Sequence, residues 1–195
     1  MMIDTNKTFA IHQAAYQGKY EEVKINVLAN NRLLTATDDS GWSPLMIAAS
    51  AGREEVVRLL IGRGANINTR NSGGHSALQY AASKNHQKIV CILMDNCANV
   101  NIQDELKATP LHRAASKGNM PALTSLVQCN RCSLNLQDSE GNTPLHLACE
   151  EERLDAVRLL LEHGASTQIM NKAGKIPLEM TSCPSIRRLA NMNEM

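Results

Sequence analysis

The stretch TPLHLACEEE, residues 143–152, has close counterparts elsewhere in the chain. They are SPLMIAASAG at 43–52, SALQYAASKN at 76–85, TPLHRAASKG at 109–118 and, less closely, FAIHQAAYQG at 9–18 and IPLEMTSCPS at 176–185. The aliphatic residue in third place falls at 11, 45, 78, 111, 145 and 178, at intervals of 34, 33, 33, 34 and 33 residues. The chain is therefore a repeat protein.

Each repeat has the same local signals. An Asp or Asn with Gly three positions later, as in Asp138 and Gly141, is typical of a turn. Ser or Thr before Pro, as in Thr143 and Pro144, predicts the start of a helix. A pair of small residues such as Ala48-Ala49 follows, then a Gly stop, with Asn85 able to replace Gly in a left-handed conformation. A second helix, with inward residues such as Val57 and Leu60 or Val157 and Leu160, completes a turn–helix–helix unit.

The T-P-L-H-x-A motif with this period resembles the ankyrin repeat. The resemblance implies an all-α ankyrin-repeat solenoid of about six stacked turn–helix–helix units with a concave binding face. We expect a single domain over 1–195, with repeats at about 5–37, 38–70, 71–103, 104–137, 138–170 and 171–195.

Two longer strings, GWSPLMIAASAGREEVV at 41–57 and LNLQDSEGNTPLHLACEEER at 134–153, resemble one group of ankyrin-repeat proteins, the gankyrin-like chaperones that assemble the proteasome regulatory particle. The resemblance implies binding to the C-terminal domain of a base ATPase subunit of that particle. It implies as alternative partners a cyclin-dependent kinase or a retinoblastoma-type protein. This chain departs from the seven-repeat pattern of the group, because one repeat is missing between Thr37 and Asp38.

Composition narrows the function further. The net charge is +1, from 20 basic and 19 acidic residues, which disfavours nucleic-acid binding by bulk electrostatics. No run of residues is long and apolar enough for a membrane span, and the first residues do not resemble a secretory signal. We therefore expect reduced cysteines and a monomer in the cytoplasm, with entry into the nucleus as an open alternative.

The repeat register predicts which side chains face a partner, at the turn tips and at the end of the first helix. The candidates for partner binding are Asp39, Trp42, His75, Lys84, Glu105, Lys117, Glu140, Glu150, Glu151, Lys172 and Lys175. Their mixed charge favours a partner of complementary mixed charge. The alternative is that they are ordinary solvated surface charges.

Trp42, the only tryptophan, falls at a variable turn position. Tryptophan is enriched at interface hot spots, so it is a candidate anchor for a partner. The alternative is packing over the neighbouring turn.

No residue pattern points to catalysis, a metal site or a cofactor. His12, His112 and His146 occupy the T-P-L-H slot, where a histidine braces the turn. Cys129 and Cys132 form a lone C-x-x-C, which is a weak signal for zinc or for thiol redox chemistry. We expect a non-enzyme.

Leu147, Cys149 and Glu151 form the L-x-C-x-E pattern that retinoblastoma-type pocket proteins bind as an extended peptide. The repeat register places this segment on a helix, with Cys149 in a slot that alanine fills in other repeats. Residues two apart point in different directions on a helix, so the pattern is a poor docking peptide in the folded chain. The register instead predicts an exposed acidic edge at Glu150 and Glu151.

Overall fold

The computed structural model describes residues 5–193, and side chains over 8–189. The helices are α1 Thr5–Gln17, α2 Tyr20–Ala29, α3 Pro44–Ser50, α4 Glu54–Gly62, α5 Ala77–Ser83, α6 Gln87–Asp95, α7 Pro110–Lys117, α8 Met120–Val127, α9 Pro144–Glu150, α10 Leu154–Glu162 and α11 Pro184–Asn193. Short 3-10 helices cover Asn31–Leu34 and Pro177–Met180. Residues 5–193 contain no strand, which confirms the all-α prediction. The outermost residues of the predicted domain, 1–4 and 194–195, lie outside the described range.

The chain forms two compact units, Met1–Asn99 and Val100–Met195, called here the N-terminal and the C-terminal unit. In the N-terminal unit, α1, α3 and α5 pack in that order, and each pairs with the helix that follows it. In the C-terminal unit, α7 packs on α9 and α9 on Pro177–Met180, while α10 packs against both α8 and α11. Both units have the row of helix pairs that the repeat predicts.

Side-chain caps start the first helix of the second, third, fourth and fifth repeats. Ser43 Oγ accepts a hydrogen bond from the Met46 amide at 3.3 Å. Thr143 does the same for His146 and is bound in return by the His146 ring, which makes a capping box. Both satisfy backbone N–H groups that a helix start otherwise leaves without a partner.

The turns before these helices pack closely within each unit. A Cβ atom on Gly141 would lie 2.8 Å from the Lys172 amide nitrogen, and its φ is +78°. A side chain has no room there, and the left-handed conformation favours glycine as well. Lys107 takes the matching place in the fourth repeat with a φ of 57°, which shows that the turn imposes its conformation on other residues too.

The core consists of the predicted residues. Val57, Leu60, Val157 and Leu160 are fully buried. The small pairs are buried as well, for example Ala48 and Ala49. Replacing such a leucine by alanine typically costs about 2–5 kcal/mol.

Three local features differ from the simple repeat. The segment IPLEMTSCPS forms only the 3-10 helix Pro177–Met180, because Ile176 offers no hydroxyl cap and Pro184 restricts the residue before it. Glu152 takes the left-handed conformation that glycine takes in other repeats, with a φ of 53°. The repeat register puts Cys97 and Cys132 in the place where Gly64 and Gly164 follow the second helix. Cys97 takes the left-handed conformation there, with a φ of 64°, whereas Cys132 does not.

Candidate protein-binding surfaces

Backbone hydrogen bonds tie neighbouring turn tips together within each unit. In the N-terminal unit, the Ser72 amide donates to the Ser40 carbonyl at 3.0 Å. In the C-terminal unit, Ser139 donates to Leu106 at 2.7 Å and Lys172 donates to Glu140 at 3.0 Å. Successive tips are therefore in register, and Glu140 and Lys172 are neighbours.

The histidines of the T-P-L-H slot brace the following turn. His12 Nε2 lies 2.8 Å from the Trp42 carbonyl oxygen, and His146 Nε2 lies 3.0 Å from that of Lys175. His112 Nε2 binds the Asn142 carbonyl in the same way, at 3.0 Å. His112 Nδ1 accepts the Thr109 amide proton at 3.1 Å, so the ring proton is on Nε2. The predicted bracing role is confirmed.

Burial lowers the pKa of His112 below its usual 6.5, against the opposing effect of its hydrogen bond to the Asn142 carbonyl. The pKa of His146 is lowered by burial too, again opposed by a backbone hydrogen bond. Both rings are therefore neutral near pH 7, as a donor on one nitrogen and an acceptor on the other require. The hydrogen bonds from the two rings fix the backbone carbonyls of Asn142 and Lys175, and they leave the side chains of these two residues unconstrained.

Trp42 is half-buried, and its ring stacks on Tyr80 with centroids 4.2 Å apart. His75 lies at a tilt beside the same ring, at 5.5 Å. The Tyr80 hydroxyl accepts a hydrogen bond from Asn71 Nδ2 at 2.8 Å. The predicted residues Trp42 and His75 thus meet around Tyr80, which sequence reasoning did not select. Its repeat slot holds Ile47, Arg113 and Leu147 elsewhere, and that variability was the available signal.

A cleft opens beside Trp42, with a volume of about 310 Å³. It is called here the aromatic cleft and is lined by His12, Tyr16, Asp38, Trp42, Ile47 and Ser50. Tyr16 remains 64% exposed, so this wall is open to a partner. Tyr16 and Asp38 were not among the predicted residues. Of the other predictions in this unit, Asp39 lies exposed at the turn tip and Lys84 exposed at the end of α5.

The predicted residues of the C-terminal unit are all exposed: Glu105, Lys117, Glu140, Glu150, Glu151, Lys172 and Lys175. Glu151 makes an ion pair with Arg153 at 3.6 Å, which partly offsets the acidic edge. Arg153 is itself held by its Nε donating to the Ser116 carbonyl at 3.2 Å. The structure places these residues as the register predicts, but their role in binding stays a prediction.

Asp104 and Arg113 form an ion pair that sequence reasoning missed. The Asp104 side chain is fully buried, and its Oδ1 accepts the amides of Leu106 at 2.9 Å and Ala108 at 3.0 Å. Its Oδ2 pairs with the guanidinium of Arg113. One carboxylate therefore shapes the turn and binds a cation at the same time.

Residues 11–104 and 78–171 match the family model for ankyrin repeats (3 copies). The chain belongs to the ankyrin-repeat family. The human 26S proteasome non-ATPase regulatory subunit 10 is 43% identical over 57 residues, which are 29% of this chain and 25% of that protein. A Caenorhabditis elegans ankyrin repeat and KH domain-containing protein, mask-1, is 41% identical over 66 residues, 34% of this chain and 2% of that protein.

Another relative is delta-latroinsectotoxin-Lt1a from Latrodectus tredecimguttatus, 36% identical over 69 residues, or 34% of this chain and 6% of that protein. The matched segment thus spans a quarter or less of each of these three relatives. The likeness to the proteasome subunit is a partial one.

The L-x-C-x-E segment of this ankyrin-repeat protein is helical, as predicted. Leu147 and Cys149 lie on α9, and Glu151 caps its end. Cys149 is fully buried, and burial raises the pKa of its thiol to about 12. The extended form that a docking peptide needs would require α9 to open.

Cys129 and Cys132 are free thiols, both half-buried. Burial, with the neighbouring Cys129, raises the pKa of Cys132 to about 12, which disfavours the thiolate that a redox catalyst uses. Within residues 5–193, no group of three His, Cys, Asp or Glu side chains could hold a metal ion. No helix in that range is long and apolar enough to cross a membrane.

Proposed function

We propose that this ankyrin-repeat protein is a non-catalytic scaffold that binds a partner protein through its turn tips and first-helix ends. The observation that carries the proposal is the slot of Trp42, Asn142 and Lys175. The histidine of the preceding repeat holds the backbone there, whereas the side chains differ in size, polarity and charge. A rigid backbone with freely variable side chains suits recognition, because binding then orders little of the chain.

The partner we propose is the C-terminal domain of a base ATPase subunit of the proteasome regulatory particle. Support comes from the partial similarity to the human 26S proteasome non-ATPase regulatory subunit 10. The exposed charges are also of both signs, with Glu140 beside Lys172, which suits a folded partner of mixed charge better than a uniformly charged polymer. In this role the protein assists assembly of the particle.

The test is to isolate the tagged protein from cells, identify its partners by mass, and measure binding of purified base ATPase C-terminal domains. We expect one ATPase domain to bind at micromolar concentration or tighter and to bind more weakly at high salt. Recovery of a cyclin-dependent kinase without proteasomal subunits would replace this partner by the alternative one.

A retinoblastoma-type partner is tested by two matched variants. Glu151→Ala removes an exposed charge, whereas Cys149→Ala changes a buried atom in a slot where Ala115 already serves. Loss of pocket-protein binding in Glu151→Ala alone indicates recognition of the folded surface. Equal loss in both variants indicates the extended peptide instead.

A further inference from the structure

The turn residue of a repeat meets the residue nine positions later. Asp104 Oδ2 pairs with Arg113. In the third repeat, Asn71 Nδ2 donates to the Tyr80 hydroxyl at 2.8 Å. In the sixth, Asn171 Nδ2 lies 3.7 Å from Met180 Sδ. One polar side-chain atom of the turn residue holds the turn, and the other faces the residue nine positions later.

In the second repeat, the residue nine positions after the turn residue Asp38 cannot bind its carboxylate. Asp38 Oδ1 accepts the amides of Ser40 at 3.0 Å and Trp42 at 2.9 Å, just as Asp104 Oδ1 holds its own turn. The residue nine positions on is Ile47, which has no polar side-chain atom. Among the described residues, Asp38 Oδ2 receives no hydrogen bond. This oxygen belongs to the one acidic side chain that lines the aromatic cleft.

We propose that the aromatic cleft binds an arginine side chain of the partner protein, whose guanidinium takes at Asp38 the place that Arg113 takes at Asp104. The inference rests on the proposed protein-binding function, and not on which partner is bound. The internal pair shows that a guanidinium can reach Oδ2 while Oδ1 holds the turn.

The walls of the cleft favour arginine over lysine. A guanidinium is planar and weakly hydrated, and it stacks on aromatic rings, whereas an ammonium is compact and strongly hydrated. Trp42 and Tyr16 supply rings at the site, and Ile47 supplies an apolar surface for the methylene stem. The Trp42 ring is already held by its stack on Tyr80, so little side-chain order is lost on binding.

The fifth repeat provides a natural contrast. Asp138 holds its turn through the amides of Glu140 and Asn142, both at 2.9 Å, and Leu147 stands nine positions later. Around Asp138, however, the slot of Tyr16 holds Ser116 of the fourth repeat, and the slot of Trp42 holds Asn142. The Asn142 side chain already accepts a hydrogen bond from Asn171 at 2.8 Å. Asp138 therefore lacks the aromatic walls and serves as a control.

Trp42 is the only tryptophan, so its fluorescence reports on the cleft directly. The probes are N-acetyl-arginine methylamide and its neutral isostere N-acetyl-citrulline methylamide. We expect saturable quenching by the arginine compound, with an affinity about tenfold higher than that of the citrulline compound, from the charge-assisted hydrogen bond. Equal or non-saturating responses to both compounds would overturn the proposal.

Two variants in the cleft and one control outside it locate the effect. Asp38→Asn should abolish the preference for arginine and keep the turn, because Asn71 Oδ1 accepts the matching amides of Gly73 and His75 at 3.1 and 2.9 Å. Ile47→Arg should block the probe by filling the cleft from within. Asp138→Asn should leave probe binding unchanged. If Asp38→Asn folds and still prefers arginine, the proposal is wrong, and this result stands even if Ile47→Arg does not fold.

The same variants separate this inference from the choice of partner. If an ATPase C-terminal domain binds wild type and Asp38→Asn equally and the arginine probe does not bind, the inference fails and the proposed function stands. If the probe binds as expected but no ATPase domain does, the arginine site stands and the proteasomal partner is wrong. A fall in ATPase-domain affinity of about tenfold in Asp38→Asn, absent in Asp138→Asn, supports both.

Discussion

The indole ring of Trp42 stacks on the phenol ring of Tyr80, with centroids 4.2 Å apart and planes inclined by 24°. The two residues belong to successive repeats, so the contact joins the second repeat to the third. Trp42 also lines the aromatic cleft. One side chain therefore contributes both to the packing between repeats and to a surface that a partner can reach.

We expect Trp42→Ala to weaken partner binding and also to lower the free energy of unfolding. A tryptophan without packing partners at a variable turn position would leave the thermal midpoint nearly unchanged on substitution. The stack, however, adds about 0.5–1.5 kcal/mol beyond simple burial. A double-mutant cycle with Tyr80→Ala, measured by urea unfolding, should give a coupling energy of that size. Additive effects of the two substitutions would show that the stack contributes nothing, and Tyr80→Phe is the control that retains the ring.

Stability should fall as the pH drops below 6.5, because the pKa of His112 is lowered in the folded state. Between the lowered pKa of folded His112 and 6.5, the unfolded chain binds more protons than the folded one. The free energy of unfolding therefore rises with pH across this window, and the contribution of His112 is complete above it. Each such group contributes a slope of at most about 1.4 kcal/mol per pH unit.

His112→Gln tests this expectation by urea unfolding between pH 5 and pH 8. Glutamine already serves in the same slot, where the Gln79 side chain accepts the Ser76 amide at 2.9 Å. The variant should therefore fold and show a shallower pH dependence than the wild type. An unchanged slope would mean that other groups dominate the acid sensitivity.

Removing the Arg113 guanidinium, which pairs with the buried Asp104 carboxylate, should strongly destabilise the fold. Arg113→Met leaves a buried carboxylate without its counter-ion, at a cost of about 3–5 kcal/mol, somewhat less here because Arg113 is partly exposed. The double variant Asp104→Asn with Arg113→Tyr should recover much of this loss, because it copies the Asn71–Tyr80 pair of the third repeat. Thermal midpoints measure both effects. If Arg113→Met alone melts like wild type, the pair is not a structural requirement.

Cys149 should resist alkylation in the folded protein. Its thiol is fully buried and its pKa is raised to about 12, so iodoacetamide at pH 8 finds almost no accessible thiolate. Cys97 is exposed and serves as the internal reference in the same mass-spectrometric experiment. Rapid modification of Cys149 in native buffer would show that α9 opens. That result would support docking of the L-x-C-x-E segment as an extended peptide.

The sequence by itself determined the repeat period, the caps and the turns, because each depends on residues within a few positions of one another. Thr143 caps α9, and the turn before it needs a left-handed residue at Gly141, both through contacts within the repeat. The inward stripes of Val57 and Leu60 follow from helical periodicity in the same way. The exposure of the predicted binding residues was also accessible from the register, which assigns Glu150 and Glu151 to a surface edge.

Only the tertiary structure decided which side chains meet. The Trp42–Tyr80 stack joins residues 38 positions apart in different repeats. The Asp104–Arg113 pair forms because α7 brings Arg113, nine positions after Asp104, back against the turn. The lack of such a pair at Asp38 leaves an open carboxylate in the aromatic cleft. Period and capping are local and repeat along the chain. Side-chain partnerships depend on the few variable positions that each repeat brings against its neighbour, and no periodic signal encodes them.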